Sequence, residues 1–329
     1  MKEIYPWQQH EYESLLQPYL QGRLSHALIL SGAKGIGKHQ LAHTLSHRLL
    51  CDLPLENQFA CGQCHSCTML NAKTHPDLYM IEPEEKSQVI KIEQIRDLIS
   101  KISLSSYSGK FKVVIIDPAE GMTIAAANSL LKTLEEPPDK TLFLLIVSDV
   151  SRLPMTIRSR CQQISIATPD IHNTQGWLNE KLDSSISTEI LLSLAAGAPL
   201  TALSLSNHTQ LENRDKMIEE WCQLVTGKLD PVQIASKWVK PDANLPINWI
   251  QGWIIDMICL ITGFQKTLTN PDKKANLLTV AQRFDTTQLY KLLDVVEESK
   301  NLLKSQVNAQ SLLENILIYW SHLPSKHKQ

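Results

Sequence analysis

A glycine-rich run near the start of the chain has the residue types and spacing that bind a phosphate. It occupies positions 32–38, follows a short apolar segment and precedes a helical pattern. Glycines at such a turn let backbone N–H groups point toward a phosphate, and the start of the next helix adds partial positive charge. The run ends in a lysine that reaches the outer phosphates. We therefore predict a phosphate loop at Gly32, Gly35, Gly37 and Lys38, against the weaker alternative of a chance glycine-rich turn.

Two positions of this predicted nucleotide site carry the wrong residues for phosphoryl transfer. The residue after Lys38 is His39, where the motif has a serine or threonine that ligates Mg²⁺. The apolar run 113–117 ends in Asp117, which is placed to hold the metal, but Pro118 follows it instead of a glutamate that would position water. We therefore expect no catalysis at this degenerate site. ATP binding through Lys38 and the loop backbone stays open.

Four cysteines, Cys51, Cys61, Cys64 and Cys67, have the spacing C-x9-C-x2-C-x2-C. Two intervening residues bring both sulfurs of a close pair to one side of a turn, and four thiolates complete the tetrahedral shell of a structural zinc ion. An iron–sulfur cluster is a weaker alternative, because the fourth cysteine and the proline expected after such a run are absent. A second alternative is a zinc site in which His65 replaces one of the four thiolate ligands. The predicted cofactor is therefore structural zinc.

The elements that must position these residues alternate between strands and helices in the first half of the chain. Short apolar runs predict strands at 26–31, 77–81, 112–116, 141–147 and 163–166, and helical patterns lie at 40–50, 92–102 and 124–135. Near-continuous apolar strands separated by helices predict a parallel sheet covered on both faces. After residue 168 only helical patterns follow. We expect an α/β domain at 1–168, a small helical domain at 169–208 and a larger helical domain at 209–329.

The amino-acid composition disfavours three classes of protein: stand-alone DNA-binding, secreted and membrane-spanning proteins. The 329 residues include 32 Lys and Arg against 34 Asp and Glu, and this balance disfavours a stand-alone DNA-binding protein. No apolar signal segment opens the sequence, so the seven cysteines are expected in a reducing cytoplasm. The most apolar stretch, 247–264, is interrupted by Asn248, Gln251 and Asp256, which favours a buried helix over a membrane span.

Several segments together resemble one known family. They are the run 23–37, the four-cysteine insertion after the loop helix, the sequence Thr-His-Pro-Asp at 74–77, the string AANSLLKTLEEPP at 126–138 and Ser159-Arg160-Cys161. This combination is similar to that of bacterial clamp-loader subunits of the AAA+ class. The Tyr-Pro-Trp start at 5–7, the degenerate nucleotide site and the segment 308–318 are most similar to the delta prime branch of that family, a component of DNA polymerase III. The resemblance is dense over 1–168 and thinner, but collinear, beyond.

The resemblance implies a fold and a set of partners. It implies an AAA+ P-loop-like domain with a zinc module at 51–67, a helical lid and a C-terminal helical collar that holds subunits together. The expected partners are the tau or gamma ATPase subunits and the delta subunit, in a hetero-pentamer that uses ATP to place a sliding clamp on primer–template DNA. The chain would act at the replisome on the nucleoid, in the cytoplasm and away from membranes. It would belong to the DNA polymerase III holoenzyme, a DNA-directed DNA polymerase and nucleotidyltransferase.

The resemblance also assigns a catalytic role to Arg160. In the family the arginine of the Ser-Arg-Cys motif reaches the ATP site of an adjacent subunit, and such a guanidinium offsets charge on the transferring phosphoryl group. From position alone, Arg160 is better explained as the partner of a carboxylate at a helix end. Leu200 falls where ATPase relatives carry a nucleotide-sensing arginine, which agrees with a non-motor subunit.

Two other functions stay open as alternatives. One is a motor-type clamp-loader ATPase, which requires that His39 and Pro118 be tolerated. The other is a P-loop nucleotide kinase with a zinc-bearing lid. That enzyme needs serine or threonine at position 39 and an arginine-rich lid, whereas 51–67 contains no arginine.

Overall fold

The computed structural model shows two compact units, which divide between Trp177 and Leu178. It describes residues 4–324 apart from 85, 86, 88, 108, 183–186, 207, 241, 242, 265–267 and 304–306.

The first unit is built on a five-stranded parallel sheet. Its strands are β1 (Ala27–Ser31), β2 (Leu78–Ile81), β3 (Lys112–Ile116), β4 (Thr141–Val147) and β5 (Gln162–Ser165), in the spatial order β2-β3-β4-β1-β5. Its helices, in chain order, are α1 (Gln9–Leu20), α2 (Lys38–Leu50), α3 (His65–Asn71), α4 (Ile92–Ile102), α5 (Ile124–Glu135), α6 (Met155–Arg158) and α7 (Ile171–Asn179), whose last two residues lie past the division. Short 3-10 turns occupy Pro6–Gln8, Ala119–Gly121 and Val150–Arg152. The predicted α/β class is confirmed.

The three central strands account for the stability of the sheet. Every residue of β1, β3 and β4 is buried, as expected for parallel strands covered on both faces. Helices α4 and α5 pack on one face through Leu98, Ile102, Leu130 and Leu134. The edge strands β2 and β5 are only partly buried. The bounds of β3, β4, α4 and α5 match the predicted ranges residue for residue, and the other predicted elements shift by three residues or fewer.

The second unit is helical throughout its described residues. Its helices are α8 (Thr188–Leu194), α9 (Pro199–Leu205), α10 (His208–Leu224), α11 (Pro231–Trp238), α12 (Asn244–Thr262), α13 (Lys274–Ala281), α14 (Thr286–Leu302) and α15 (Ala309–Ser321), with a 3-10 turn at Pro271–Lys273. Three fully buried tryptophans lie at the centre of its core. Trp221 stacks on Trp320 with ring centroids 4.4 Å apart, and Trp253 packs against Trp221 at 5.9 Å.

Helix α12 is long and apolar enough to cross a membrane, and the bent pair α8–α9 passes the same test when counted as one span. Half of the apolar window of α12 is nevertheless buried, including Trp253, Ile254 and Met257, which lie in the core of the helical unit. Asp256 on the same helix is fully buried and hydrogen-bonded. We interpret α12 as the central helix of a packed bundle, as its sequence predicts.

A buried polar network joins three segments of this unit. Arg214 on α10 is 2% exposed and forms a two-pronged pair with Asp272, with both N–O distances 2.9 Å. Its guanidinium also donates to Asn270 Oδ1 at 2.8 Å, and Asn270 Nδ2 donates to Asp256 at 2.7 Å. The backbone N–H groups of Thr269 and Asn270 donate to the same carboxylate. The network therefore fixes the chain before α13 against α10 and α12.

Removing the Asp256 carboxylate should destabilise the helical unit. Asp256→Ala leaves the backbone N–H groups of Thr269 and Asn270 and the buried Asn270 amide without this acceptor, and we expect a loss of about 3 kcal/mol in the free energy of unfolding. Asp294→Ala, on the exposed face of α14, should cost less than about 0.5 kcal/mol. Urea denaturation followed by tryptophan fluorescence tests both variants. A loss below about 1 kcal/mol for Asp256→Ala would show that the network contributes little.

Candidate functional site

The predicted phosphate loop connects β1 to α2 at the carboxyl edge of the sheet. Gly37, the residue before α2, has φ of 93°, a left-handed conformation that glycine adopts without strain. A Cβ atom on Gly37 would lie 2.7 Å from the Tyr5 ring, and one on Gly32 would lie 2.4 Å from the Ile166 carbonyl oxygen. Both positions therefore require glycine for close packing as well as for backbone geometry.

Lys38 is directed into its own loop. Its ammonium donates hydrogen bonds to the carbonyl oxygens of Gly32 and Ala33, each at 2.7 Å, and the residue is only 6% exposed. Burial lowers the pKa of this amine, while the nearby carboxylates of Glu120 and Asp117 raise it. The charge that would meet a phosphate is thus held by backbone oxygens of the loop itself.

His39 is bonded to the aspartate that was predicted to hold magnesium. Its Nδ1 atom lies 2.7 Å from Asp117 Oδ2, and an ionised carboxylate only accepts, so Nδ1 is the donor. Asp117 follows β3 directly and His39 lies in the first turn of α2. A magnesium ion at this point would need oxygen ligands. At position 39 it would meet an imidazole where the motif has a hydroxyl. At position 117 it would meet a carboxylate oxygen that already accepts a hydrogen bond from His39.

The segment before α1 covers the same loop. Trp7 Nε1 donates to the Ile36 carbonyl oxygen at 2.9 Å, and Gln8 Nε2 donates to the same oxygen at 3.1 Å. The Trp7 ring stacks in parallel on Tyr5 with centroids 4.9 Å apart. These contacts were not predicted, because tyrosine and tryptophan at 5–7 entered only as part of a family resemblance. They hold the loop without a ligand.

The four predicted cysteine ligands form one cluster. All four sulfurs lie within 4.8 Å of one another, with Cys51 Sγ 3.6 Å from Cys61 Sγ and 3.9 Å from Cys64 Sγ. A tetrahedron with metal–sulfur bonds of about 2.3 Å has edges of about 3.8 Å. Because S–S bonds are about 2.05 Å long, these cysteines are free thiols in a metal-binding arrangement.

Backbone N–H groups point at the sulfurs. Cys61 N donates to Cys51 Sγ at 3.3 Å, Cys64 N to Cys61 Sγ at 3.3 Å, and Cys67 N to Cys64 Sγ at 3.4 Å. The N–H groups of Gln63 and Cys64 lower the pKa of the Cys61 thiol to about 6, whereas burial raises the pKa of Cys51 and Cys67. Donors of this kind stabilise thiolates, the form in which cysteine binds a metal.

The cysteine module is tied to the sheet and to α1. Lys110, just before β3, donates to the Cys51 carbonyl oxygen at 2.8 Å and to Asp52 at 2.9 Å, and this bond lowers the pKa of Asp52 to about 2. The Tyr12 hydroxyl donates to the Gln58 carbonyl oxygen at 2.8 Å, and its ring stacks on Phe59. The module is therefore an integral part of the first unit.

Arg160 lies after α6 and is paired within its own chain. Its Nε atom donates to Glu135 Oε1 at 2.8 Å, and a terminal nitrogen of the guanidinium also donates to that oxygen. The other terminal nitrogen donates to the Thr156 carbonyl oxygen at 2.8 Å. This is the helix-end carboxylate pairing expected from position alone. The pair is on the surface, with side chains 31% and 49% exposed.

Comparisons with known proteins point to one family. The family model described as "DNA polymerase III, delta subunit" matches residues 7–170, and that described as "DNA polymerase III, delta subunit, C terminal" matches 208–322. The DNA polymerase III subunit delta′ of Pseudomonas aeruginosa is 34% identical over 98% of this chain and 99% of its own length. That of Escherichia coli K12 is 30% identical over 97% and 95%. The chain belongs to the DNA polymerase III delta′ subunit family.

More distant relatives are also similar to this delta′ family member. The DNA polymerase III subunit tau of E. coli K12 is 31% identical over 70% of this chain and 36% of its own length. Among solved structures, a gamma subunit-related protein of Thermotoga maritima is 18% identical, covering 94% of this chain and 98% of its own, with a TM-score of 0.47.

The structure brings together some predicted site residues and separates others. Gly32, Gly35, Gly37, Lys38 and Asp117 lie at the carboxyl edge of the sheet, where His39 bonds to Asp117. The four cysteines form a second centre beyond the far end of α2. Arg160 belongs to neither centre and bonds to the end of α5. Sequence reasoning passed over His43 and His47, although the spacing of four residues between His39, His43 and His47 is visible in the sequence.

The His39–Asp117 bond predicts how magnesium affects nucleotide binding. In the wild-type chain, we expect Mg²⁺ to change the affinity for ATP by less than about twofold, because the metal position is blocked. His39→Thr restores a hydroxyl ligand and frees Asp117, so Mg²⁺ should then strengthen ATP binding by about tenfold or more, a free energy of about 1.4 kcal/mol.

Isothermal titration with ATP, in Mg²⁺ or in EDTA, measures this difference. His47→Thr, two turns farther along α2, is the matched control and should behave as the wild type. Magnesium-dependent ATP binding by the wild-type chain would contradict the interpretation of His39.

Proposed function

We propose that this chain is the non-hydrolysing delta′ subunit of a bacterial clamp loader. It would assemble with tau or gamma ATPase subunits and a delta subunit in a hetero-pentamer that loads a sliding clamp on primed DNA. Full-length similarity to delta′ subunits supports the complex. The observation that carries the non-hydrolysing role is the 2.7 Å bond between His39 and Asp117, which uses the metal-binding carboxylate for a contact within the protein.

The internal bonds of the loop favour this role over a motor. A motor subunit changes shape because nucleotide binds its states with different free energies. Here the Lys38 ammonium donates hydrogen bonds to loop carbonyls, and the Ile36 carbonyl oxygen accepts hydrogen bonds from the side chains of Trp7 and Gln8. A nucleotide would have to displace bonds that already exist. Appreciable ATP hydrolysis by the isolated chain would instead favour the motor-type ATPase, and turnover of a nucleoside substrate would favour the kinase.

In this proposal Arg160 acts on the ATP site of a neighbouring subunit. The Glu135 partner does not prevent this, since an exposed ion pair is worth about 0–1 kcal/mol and exchanges readily for a phosphate. The position after α6 and the bonds to Thr156 and Ser159 hold the guanidinium at the surface. A fixed, exposed arginine is what a trans-acting finger requires.

Arg160→Ala should lower clamp- and DNA-stimulated ATP hydrolysis by the reconstituted loader roughly tenfold. A trans arginine is worth about 10³–10⁵ in rate at the site that it completes, and the other ATP sites supply the residual activity. Arg152→Ala, which removes an exposed arginine from the same surface segment, should leave the rate unchanged.

Glu135→Ala separates the two roles of Arg160. If the arginine only pairs with Glu135, both variants should lose the same activity. If it acts on a neighbour, Glu135→Ala should retain at least half of the wild-type rate. Gel filtration must show that each variant still assembles. Unchanged turnover with Arg160→Ala would make the residue structural.

We also propose that Cys51, Cys61, Cys64 and Cys67 hold a structural zinc ion. Three of the six sulfur separations are 3.6 to 3.9 Å and all are within 4.8 Å, close to the edges of a tetrahedron around a single ion. A multi-iron cluster would hold its ligating sulfurs farther apart. With four protein ligands no position stays open, so the ion would fix the module rather than perform chemistry.

Metal analysis of the purified chain should find one zinc per chain and no iron. Cys64→Ser should lose most of this zinc and lower the melting temperature of the first unit, because metal binding free energy stabilises the folded state. Cys259→Ser, at a half-buried cysteine of α12, should retain the zinc. Stoichiometric iron, or full zinc retention by Cys64→Ser, would contradict the assignment.

The finer organisation belongs to the same proposal. We assign residues 1–168 to an AAA+ domain, 169–208 to a lid and 209–329 to a collar that joins the subunits. The loader would work in the cytoplasm, at the replisome on the nucleoid.

A further inference from the structure

A cavity of about 640 Å³ lies in the first unit, beside α2 and the cysteine module. Three histidines of α2, His39, His43 and His47, contribute to its lining. The cysteine module supplies part of the remaining wall, including Phe59. Lys73 also lines the cavity. The histidines are spaced four residues apart, so successive side chains lie one above another on a single face of the helix.

The first two imidazoles are the more closely spaced pair. The ring centroids of His39 and His43 are 4.5 Å apart, and those of His43 and His47 are 5.9 Å apart. Two histidines four residues apart on one helix face are an arrangement that chelates zinc in other proteins. Imidazole is a ligand for zinc, copper and nickel, and magnesium and calcium prefer oxygen.

The His39 ring makes the hydrogen bond to a carboxylate that metal-binding histidines make with their second ring nitrogen. Nδ1 donates to the Asp117 carboxylate, which leaves the lone pair of the neutral ring on Nε2. Metal-binding histidines almost always donate their other ring nitrogen to a carboxylate, a carbonyl or water, and this contact fixes the ring and raises its basicity as a ligand. The bond that blocks the magnesium position therefore prepares His39 for a different metal.

The His43 side chain is half-buried and its ring contacts those of both His39 and His47. Lys73 also lines the cavity, and its charge disfavours a bound cation, whereas the Asp117 carboxylate favours one.

We propose that His39 and His43 form a second metal site, which takes a divalent transition ion of the zinc, nickel and copper class. Among the described residues, the four-cysteine cluster is the only group that brings three or more ligand atoms close together. The histidine site is thus a two-ligand chelate whose other coordination positions are filled by water. Asp117 is a positioning residue that acts through His39, and His47 lies outside the chelate.

Titration of the zinc-loaded chain with Ni²⁺ tests this site. We expect one Ni²⁺ to bind per chain without release of zinc, as followed by isothermal calorimetry and a colorimetric zinc indicator. His43→Gln should weaken Ni²⁺ binding at least tenfold, and Asp117→Asn by about tenfold, the effect of losing an orienting carboxylate. His47→Gln, on the same helix face and in the same cavity, should change the affinity less than threefold.

Three results would overturn the proposal. They are the absence of Ni²⁺ binding, Ni²⁺ binding that releases zinc in equal amount, and equal losses for His43→Gln and His47→Gln. Circular dichroism and the melting temperature of each variant show whether it is folded. If His43→Gln does not fold, His43→Asn provides a second polar replacement at the same position. The test uses the chain alone, so its outcome does not depend on the proposed role in a clamp loader.

Discussion

The carboxyl ends of parallel strands lie at one edge of a sheet, and this constraint brings residue 39 to residue 117. Gly32 follows β1 and Asp117 follows β3, while β4 lies between these strands. The loop after β1 turns back to begin α2, which places the first helical turn opposite the end of β3. In a working nucleotide site this arrangement assembles a metal ion between a hydroxyl and a carboxylate. Here it assembles a hydrogen bond between an imidazole and a carboxylate.

The His39–Asp117 bond is one of several contacts that the loop and the start of α2 make within the protein. Lys38 bonds to loop carbonyls, and the Ile36 carbonyl oxygen accepts from Trp7 and Gln8. Buried polar groups must be paired, because each one left without a partner costs about 1–3 kcal/mol. A nucleotide at this loop would have to replace these internal bonds. That property suits a fixed member of an assembly better than a subunit that cycles between nucleotide states.

The parts of this fold that sequence predicts best have local causes. Strands β3 and β4 are uninterrupted apolar runs, and α5 begins at the capping residue Thr123 and ends before two prolines. Cysteine spacing likewise indicated the cluster, since neighbouring turns hold the pairs. The motifs placed His39 and Asp117 in the same predicted site, but the direct hydrogen bond between them and the Trp7 contact with the loop were not predicted. The Trp7 contact with the loop spans 29 residues and the His39–Asp117 bond spans 78, and neither leaves a periodic pattern.

The histidine cavity also depends on packing that sequence spacing does not reveal. The spacing of His39, His43 and His47 is local, but the cavity exists because the cysteine module packs beside α2. Helix α2 itself connects all three features. Its first residue is Lys38, and Cys51 caps its last turn, so a 13-residue helix, about 20 Å long, runs from the loop to the cysteine cluster. A metal bound by the cysteines would restrain one end of this helix while the internally bonded loop restrains the other. Helix α2 is thus the element that connects the loop to the cysteine module.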